Sequence, residues 1–341
     1  MRFKYIYLVA SLLFLGANCT SDSPKQDDDS GKATDQPKAE TISMPDFSAD
    51  SAYHFVEKQV SFGPRVPGTK THAQCADYLF NKFKSYTPDV EMQQGSMPAY
   101  DGKPMPIKNI IAKFGPEGTN RVLLCAHWDT RAWADQDKDI SKHKTPVLGA
   151  NDGGSGVGVL LEIARQLSIK APNVGVTILL VDAEDQGTPE FVQNPVNGQN
   201  SYCLGTQYWA KNLDKTKYTA DYGIVLDMVG GRFARFLQEE ISVRYAGNIV
   251  HKVWTRAARL GFSTYFIFNQ TSAITDDHFY INTMAQIPCI DIIDYDGSRE
   301  KGFGHFWHTE KDNMEIIDRN TLDAVGKTVL SIIYTEKVQN L

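Results

Sequence analysis

Four short segments that lie far apart in this chain carry imidazole and carboxylate side chains. Such groups are the ligands that divalent metal ions take from proteins, and they are also the acids and bases that move protons during catalysis. Several acids at one place repel one another unless a cation neutralises them, so their convergence favours a metalloenzyme. The residues in question are His127, Asp129, Asp152, Glu184, Asp185 and His308.

Apolar runs that predict buried strands precede several of these residues. Residues 122–127 and 176–181 are two such runs, and a third, over 224–228, carries Asp227 near its end. Because open α/β sheets place their ligand sites at the carboxyl ends of strands, we expect these side chains to converge. Helical periodicity between the runs, for example over 156–167, predicts a largely parallel sheet with helices on both faces.

One pair of β-rich runs predicts an antiparallel edge to this sheet. Residues 109–114 and 122–127 are separated by the Gly-Pro-Glu-Gly segment 115–118, which is typical of a hairpin. The sheet is therefore expected to be mixed. Since the sequence contains no internal repeat and no second hydrophobic core, residues 45–341 are expected to form a single catalytic domain.

The adjacent acids Glu184 and Asp185 suit metal-assisted chemistry. Adjacent side chains at a strand end point to opposite sides, so one can bind the metal while the other stays free to move protons. Each signal also has an ordinary structural explanation when it is taken alone. A pair of acids in a turn is common, Asp152 could simply cap a helix, and a histidine such as His127 at a strand end is often structural.

The first part of the chain is expected to direct export rather than to fold. A basic start and an apolar run over 5–17 predict a secretory signal peptide at 1–18, and Cys19 resembles the acylated cysteine of a bacterial lipoprotein. Residues 19–44 are polar and lack periodicity, which predicts a disordered, lipid-anchored tether. The expected location is the periplasm or outer membrane of a Gram-negative bacterium, with simple secretion as the alternative.

Composition and cysteine usage exclude some classes of binding partner and of cysteine site. A formal net charge of −6 gives no basic surface for nucleic acid, so no nucleic-acid partner is expected. The only membrane attachment expected is the anchor at Cys19. The other cysteines form no Cys-x-x-Cys pair, and Cys125 and Cys289 lie in apolar strand-like runs, so free buried thiols are expected.

Taken together, the motifs resemble the zinc aminopeptidases of the M28 type, in the same order and over roughly residues 50–340. The resemblance implies a three-layer α/β/α sandwich with a central mixed, mostly parallel sheet, as in zinc exopeptidases. Trp307 directly before His308, and the Asp-Asp-His segment 276–278, are more similar to the glutaminyl-peptide cyclotransferase branch than to the aminopeptidases. The segments that carry the resemblance are 62–69, 127–129, Asp152, 184–185, Asp227 and 308–309.

The cyclotransferase resemblance implies a reaction and a role for each residue. The enzyme would be a zinc-dependent acyltransferase, a monomer with one Zn²⁺ per chain, that converts the N-terminal Gln of peptides and proteins into pyroglutamate with release of ammonia. Zinc would polarise the γ-carboxamide, and Glu184 would act as general base and acid. The other implied roles are zinc binding by Asp152, Asp185 and His308, a hydrogen-bonded acid pair of Asp227 with Asp276, and substrate binding by Trp307.

Two alternatives stay open at the level of the sequence. A di-zinc aminopeptidase would use His127, Asp152 and Asp227 for a second ion and would hydrolyse N-terminal residues. A surface receptor that keeps the fold without catalysis would have lost ligands, whereas each expected position holds Asp, Glu or His. The chain also departs from the family pattern, because Asp185 stands where Glu is usual and Thr275 stands where the animal cyclotransferases have Gln.

Overall fold

The structure, a computed structural model, describes residues 43–338. The predicted signal peptide at 1–18, the predicted acylation site Cys19 and almost all of the predicted tether at 19–44 therefore lie outside the described residues. Within the described range, no helix combines the length and the apolar character that crossing a membrane requires.

A mixed sheet lies at the centre of the fold. The strands of the described chain are β1 (Val90–Pro98), β2 (Pro104–Phe114), β3 (Arg121–His127), β4 (Gly175–Val181), β5 (Tyr222–Asp227), β6 (Phe236–Glu239), β7 (Phe266–Thr271) and β8 (Cys289–Ile293). Six of them form the central sheet in the order β1-β2-β4-β3-β5-β8. β4, β3, β5 and β8 run parallel, whereas β1 and β2 form an antiparallel edge. β6 and β7 pair in parallel as a separate small sheet.

Helices cover both faces of the central sheet. They are α1 (Ala49–Val60), α2 (Lys70–Lys84), α3 (Gly154–Ile169), α4 (Leu204–Lys211), α5 (Glu240–Arg259), α6 (Asp277–Tyr280) and α7 (Arg319–Thr335). α1, α2, α3, α5 and α7 contribute to the larger hydrophobic cluster, whereas α4 contributes Trp209 and Ala210 to a smaller cluster on the opposite face. The expected three-layer α/β/α sandwich with a mixed, mostly parallel sheet is confirmed.

The central strands are buried on both faces, as parallel strands between two helix layers must be. In β3, Leu124 and Ala126 belong to the larger cluster, and Leu123 and Cys125 belong to the smaller one. This division follows from the alternation of side chains along a strand. It explains why the strand that leads to the site is an unbroken apolar run in the sequence. The four described cysteines outside the tether are free and buried, as expected.

The antiparallel edge is formed by different strands from those expected. β2 and β3 are consecutive in the chain, but β4 lies between them, because Ile110 of β2 opposes Leu180 and Leu124 of β3 opposes Ile178. The expected hairpin of 109–114 with 122–127 is therefore wrong, and β2 instead forms its hairpin with β1. β1 gives little signal in the sequence because it is an edge strand with a single buried residue.

Candidate active site

Two glycines, one directly before α3 and one in its first turn, allow the start of this helix to pack against the ends of β3 and β5. A Cβ atom at Gly153 would lie 2.4 Å from the carbonyl oxygen of His127, and one at Gly156 would lie 2.1 Å from that of Leu226. Only a residue without a side chain permits such close backbone approach. This packing places Asp152, which directly precedes Gly153, beside the carboxyl ends of the two strands.

One group of three buried side chains has the composition of a metal site. His308 Nε2 lies 2.9 Å from Asp185 Oδ1 and 3.7 Å from Asp152 Oδ2. One ligand atom from each of the three residues lies within 4.8 Å of the others. Burial and the charge of Asp152 raise the pKa of Asp185 well above its usual value, which is the strain that a bound cation relieves. Two carboxylates and an imidazole fit zinc.

Glu184 stands beside this group without belonging to it. Its side chain is 14% exposed, whereas that of Asp185 is 4% exposed. The Cys203 thiol approaches Glu184 Oε1 at 3.3 Å. Burial, and then the charges of Asp276 and Asp185, raise the pKa of Glu184 well above its usual value. The structure therefore separates the two adjacent acids, with Asp185 beside His308 and Glu184 beside Cys203 and Asp276.

His127, Asp152 and Asp227 form a second group of three buried side chains. His127 Nε2 lies 3.0 Å from Asp152 Oδ1 and 3.1 Å from Asp227 Oδ1, and burial raises the pKa of Asp227 to about 7. Asp152 thus faces both groups, with Oδ1 towards His127 and Oδ2 towards His308. His127 Nδ1 lies 3.5 Å from Asp129 Oδ1.

Asp129 fixes the turn that carries the two adjacent acids. Its carboxylate accepts hydrogen bonds from the backbone N–H groups of Glu184 (3.0 Å) and Asp185 (3.3 Å) and from the Gln186 side chain (3.0 Å). The turn also holds Ala183 in a left-handed backbone conformation, with φ of 51°. Such strained positions persist only where the surroundings determine them, and they concentrate at functional sites.

Two further acids that the sequence analysis did not single out contact the residues of the first group and fix their positions. Asp312 accepts hydrogen bonds from the backbone N–H groups of Asn151 (2.7 Å) and Asp152 (3.0 Å). Asp135 lies 3.7 Å from His308 Nδ1 and binds Arg131 with two hydrogen bonds of 2.8 and 2.6 Å. Apart from Arg131, the partners of Asp312 and Asp135 are at least 150 residues away in the sequence. No local sequence pattern therefore reveals the roles of these two acids.

Asp276 has an acidic neighbour that the sequence did not single out. One carboxyl oxygen of Asp276 and one of Asp291 lie within 4.8 Å of each other and of a ring nitrogen of His278. Asp227 is hydrogen-bonded to His127, and its expected pairing with Asp276 stays a prediction. Burial and the charge of Asp276 raise the pKa of Asp291 well above its usual value. A carboxyl group with a raised pKa keeps its proton, so Asp291 can donate an O–H hydrogen bond to the neighbouring Asp276.

Replacing Asp291 with Ala is expected to lower turnover by roughly 100-fold, the usual effect of losing one donor at a reacting centre. The variant lacks the carboxyl group that donates to Asp276, so Asp276 is no longer held in position beside the cavity. Because Asp291 lies in neither group around Asp152, the metal content should not change. Steady-state kinetics beside metal analysis checks this, and a variant with unaltered turnover would exclude a role for Asp291 in positioning Asp276.

A cavity of about 580 Å³ opens onto these groups and is partly aromatic. Trp307 is among its lining residues, as expected, together with Glu184 and Asp276. The Trp307 ring stacks on His308 with centroids 3.7 Å apart and on Phe303 with centroids 4.4 Å apart. Two rings this close cannot share one face of the indole, so both faces are covered. Trp307 therefore offers its edge, not its face, to a ligand in the cavity.

Replacing Trp307 with Ala is expected to raise KM on the order of tenfold, which corresponds to about 1.4 kcal/mol of lost binding. The indole edge lines the cavity and its faces hold Phe303 and His308 in place. Trp307→Phe, which keeps an aromatic ring between them, is the matched control and should stay within about threefold of the wild type. An unchanged KM in Trp307→Ala would show that this side chain is not a wall of the binding site.

Comparison with known proteins agrees with this geometry. The model of Peptidase family M28 matches residues 109–333. A Zn-dependent exopeptidase from Parabacteroides distasonis is 54% identical, and glutaminyl cyclases from Tannerella forsythia and Bacteroides thetaiotaomicron are 52% and 49% identical. Each of these structures superposes with a TM-score of 0.83, over 86% of this chain and 100% of the other.

Matches to curated relatives are more partial. The chain spans 51%, 37% and 38% of the lengths of the first three, at 30%, 27% and 26% identity. Two of these three are described as probable zinc metalloproteases. These relatives imply zinc as the metal, and the donor atoms of Asp152, Asp185 and His308 fit that metal.

Proposed function

This chain belongs to peptidase family M28, and from that membership we propose that it is a glutaminyl-peptide cyclotransferase. It converts the N-terminal Gln of peptides and proteins into pyroglutamate with release of ammonia. The identities of 52% and 49% to two bacterial glutaminyl cyclases support this activity. We assign one zinc ion per chain to Asp152, Asp185 and His308.

The placement of Asp276 carries the proposal. One oxygen of its carboxyl group and one of Glu184 lie within 4.8 Å of each other, and both residues line the cavity. Hydrolysis with two metal ions requires Glu184 and the residues around His127, but it does not require Asp276. Ring closure requires one group to move the proton and another to hold the departing nitrogen, and this pair of side chains provides both.

Glu184 and Asp276 act on different atoms of the same substrate residue. When bound by its three side chains, zinc supplies Lewis-acid polarisation of the γ-carboxamide carbonyl. Glu184 accepts a proton from the α-amine as its nitrogen forms a bond to the γ-carbon. Glu184 then returns a proton to the amide nitrogen as the carbon–nitrogen bond breaks and ammonia leaves. A carboxyl oxygen of Asp276 accepts a hydrogen bond from an N–H of the leaving nitrogen, and Asp291 holds Asp276 in position for this.

Much of the acceleration comes from holding one residue in one conformation. Because the amine and the carboxamide belong to the same Gln side chain and backbone, the reaction is unimolecular once the residue is bound. The cavity walls formed by Tyr202, Tyr280 and the Trp307 edge confine the Gln side chain. The five-membered ring then closes without any rearrangement of the protein.

Mass spectrometry of two peptides tests the proposal. A Gln-initiated peptide should lose about 17 Da as ammonia, the outcome of intramolecular displacement, whereas a matched Leu-initiated peptide should stay intact. Since N-terminal Gln also cyclises without a catalyst, reactions without enzyme and with chelator-treated enzyme are the controls. Loss of a whole residue from either peptide would contradict the proposal and indicate hydrolysis.

Aminopeptidase activity is the second candidate, and one observation favours it. Asp152 directs one oxygen at each group of ligands, which is the arrangement that a carboxylate between two metal ions needs. His127 and Asp227 would hold the second ion. Metal analysis of the purified enzyme distinguishes the two activities, since one tightly bound zinc per chain supports the cyclotransferase and two support the aminopeptidase.

We also propose that the chain is exported and attached to a membrane through an acylated Cys19, in the periplasm or outer membrane of a Gram-negative bacterium, and that it acts as a monomer. The apolar run over 5–17 and the polar segment 19–44 support the export proposal. Incorporation of labelled palmitate should disappear in Cys19→Ala. Labelling that persists in that variant would exclude Cys19 as the anchor.

A further inference from the structure

A second cavity, of about 740 Å³, adjoins the one that holds the catalytic groups. The two cavities share Phe303 and Trp307 as lining residues, so this stacked pair forms the partition between them. A peptide whose first residue occupies the catalytic cavity must leave it along one of its walls. The second cavity, which we call the outer groove, lies directly beyond the Trp307 wall.

The outer groove is positively charged, although the whole chain carries a net charge of −6. Its lining contains five Lys and Arg side chains against three acids. Asp294 is already paired with Arg299 at 2.9 Å, and Asp137 accepts a hydrogen bond from the backbone N–H of Asp139 at 3.0 Å. The charged residues of the outer groove are Lys138, Arg232, Arg299, Lys301, Lys311, Asp137, Asp294 and Glu300.

Three of these cations are free to meet a ligand. Lys138, Arg232 and Lys311 are exposed, and among residues 43–338 no carboxylate lies within 4.0 Å of their charged nitrogen atoms. Beside them Phe233 is 84% exposed and has a left-handed backbone with φ of 65°. An unusual backbone conformation that holds an aromatic ring in water is a feature of binding surfaces.

We propose that the outer groove binds the residues that follow the N-terminal Gln of the substrate and that it selects acidic ones. This inference rests on the proposed cyclotransferase function and adds a substrate class to it. An extended peptide advances about 3.3–3.6 Å per residue, so the second to fourth residues reach past the Trp307 partition. Carboxylates there would meet unpaired cations, while basic residues would meet the same charges unfavourably.

The cations of the outer groove lie away from the reacting atoms, and this position predicts which kinetic parameter they affect. An interaction made equally in the bound substrate and in the transition state lowers KM and leaves kcat unchanged. Exposed charges are also screened by salt, with a Debye length of about 10 Å at 0.1 M. The preference for acidic peptides should therefore appear in KM and should weaken as the salt concentration rises.

Three peptides that differ only at positions two to four test the inference. We expect kcat/KM for Gln-Glu-Asp-Glu-Ala to exceed that for Gln-Lys-Arg-Lys-Ala on the order of tenfold at low salt, with Gln-Ser-Ala-Ser-Ala between them. In 0.5 M NaCl the ratio should fall to about two or less. Equal kcat/KM for the three peptides at low salt would overturn the inference.

Charge-reversal variants test whether the preference for acidic peptides depends on the outer groove. The double variant Arg232→Glu, Lys311→Glu should lose the preference for the acidic peptide while kcat on the neutral peptide stays unchanged. Lys70→Glu makes the same kind of change at an exposed lysine that lines neither cavity, and it should keep the preference. A preference that survives the double variant would place the recognition elsewhere. Failure of all three peptides to cyclise would instead overturn the proposed function.

Discussion

Replacing Glu184 with Gln is expected to abolish turnover while the enzyme keeps its zinc. The two side chains have nearly the same shape, so the amide can still fill the space beside Cys203, which lies 3.3 Å from Glu184 Oε1. The amide cannot accept a proton from the α-amine or return one to the leaving nitrogen. General acid–base catalysis typically contributes 10²- to 10⁴-fold, and we expect a loss of about 10³-fold in kcat.

The zinc content distinguishes loss of the proton carrier from loss of the site. Asp152, Asp185 and His308 are unchanged in this variant, so metal analysis should give the same value as for the wild type. Glu190→Gln makes the same chemical change at an exposed position of the following loop and should be fully active. Retention of more than a few per cent of wild-type activity in Glu184→Gln would refute the assigned role.

Replacing Asp185 with Ala is expected to release the metal and, through that, to eliminate activity. Asp185 contributes the carboxylate nearest to His308, at 2.9 Å, so the variant keeps only two of the three proposed ligands. The backbone carbonyl of residue 185, which accepts a hydrogen bond from Arg131 at 3.0 Å, is kept, so the loop should remain in place. Affinity for zinc depends on ligand number, and we expect the purified variant to hold less than about a tenth of the wild-type zinc.

A graded pair of variants separates the ligand from its support. Asp135 lies 3.7 Å from His308 Nδ1 and does not belong to the group around the metal. Asp135→Asn should weaken zinc affinity by about 10- to 100-fold, the usual effect of removing a group that orients a ligand. Competition with a chromogenic chelator measures both variants. Normal zinc affinity in Asp185→Ala would mean that the ligand has been misassigned.

The parts of the site that the sequence predicted are those that follow single strands. His127 and Asp227 end β3 and β5, and the Glu184–Asp185 pair follows β4. A strand buried on both faces is an unbroken apolar run, so its end is visible in the sequence, and parallel strands end at one edge. The different neighbours of Glu184 and Asp185 do not follow from strand alternation, because both residues lie in the turn after β4 ends at Val181, and that turn holds Ala183 in a left-handed conformation.

Contacts between distant segments depend on the tertiary structure. The hairpin expected for 109–114 and 122–127 is absent because β2 pairs with β4. A turn pattern in the sequence is local and does not reveal a strand partner that comes later in the chain. Asp276 and Asp291 lie close together because α6, which begins directly after Asp276, packs against β8, which contains Asp291.

The outer groove likewise combines segments from three parts of the chain, around Lys138, Arg232 and Lys311. Each of these residues is an ordinary surface cation in the sequence, where nothing marks it as facing a shared cavity. The sequence by itself determined which residues can do chemistry and which edge of the sheet holds them. The tertiary structure decided which acids lie together and which charges line a shared cavity, because both depend on distances between segments that are far apart in the chain.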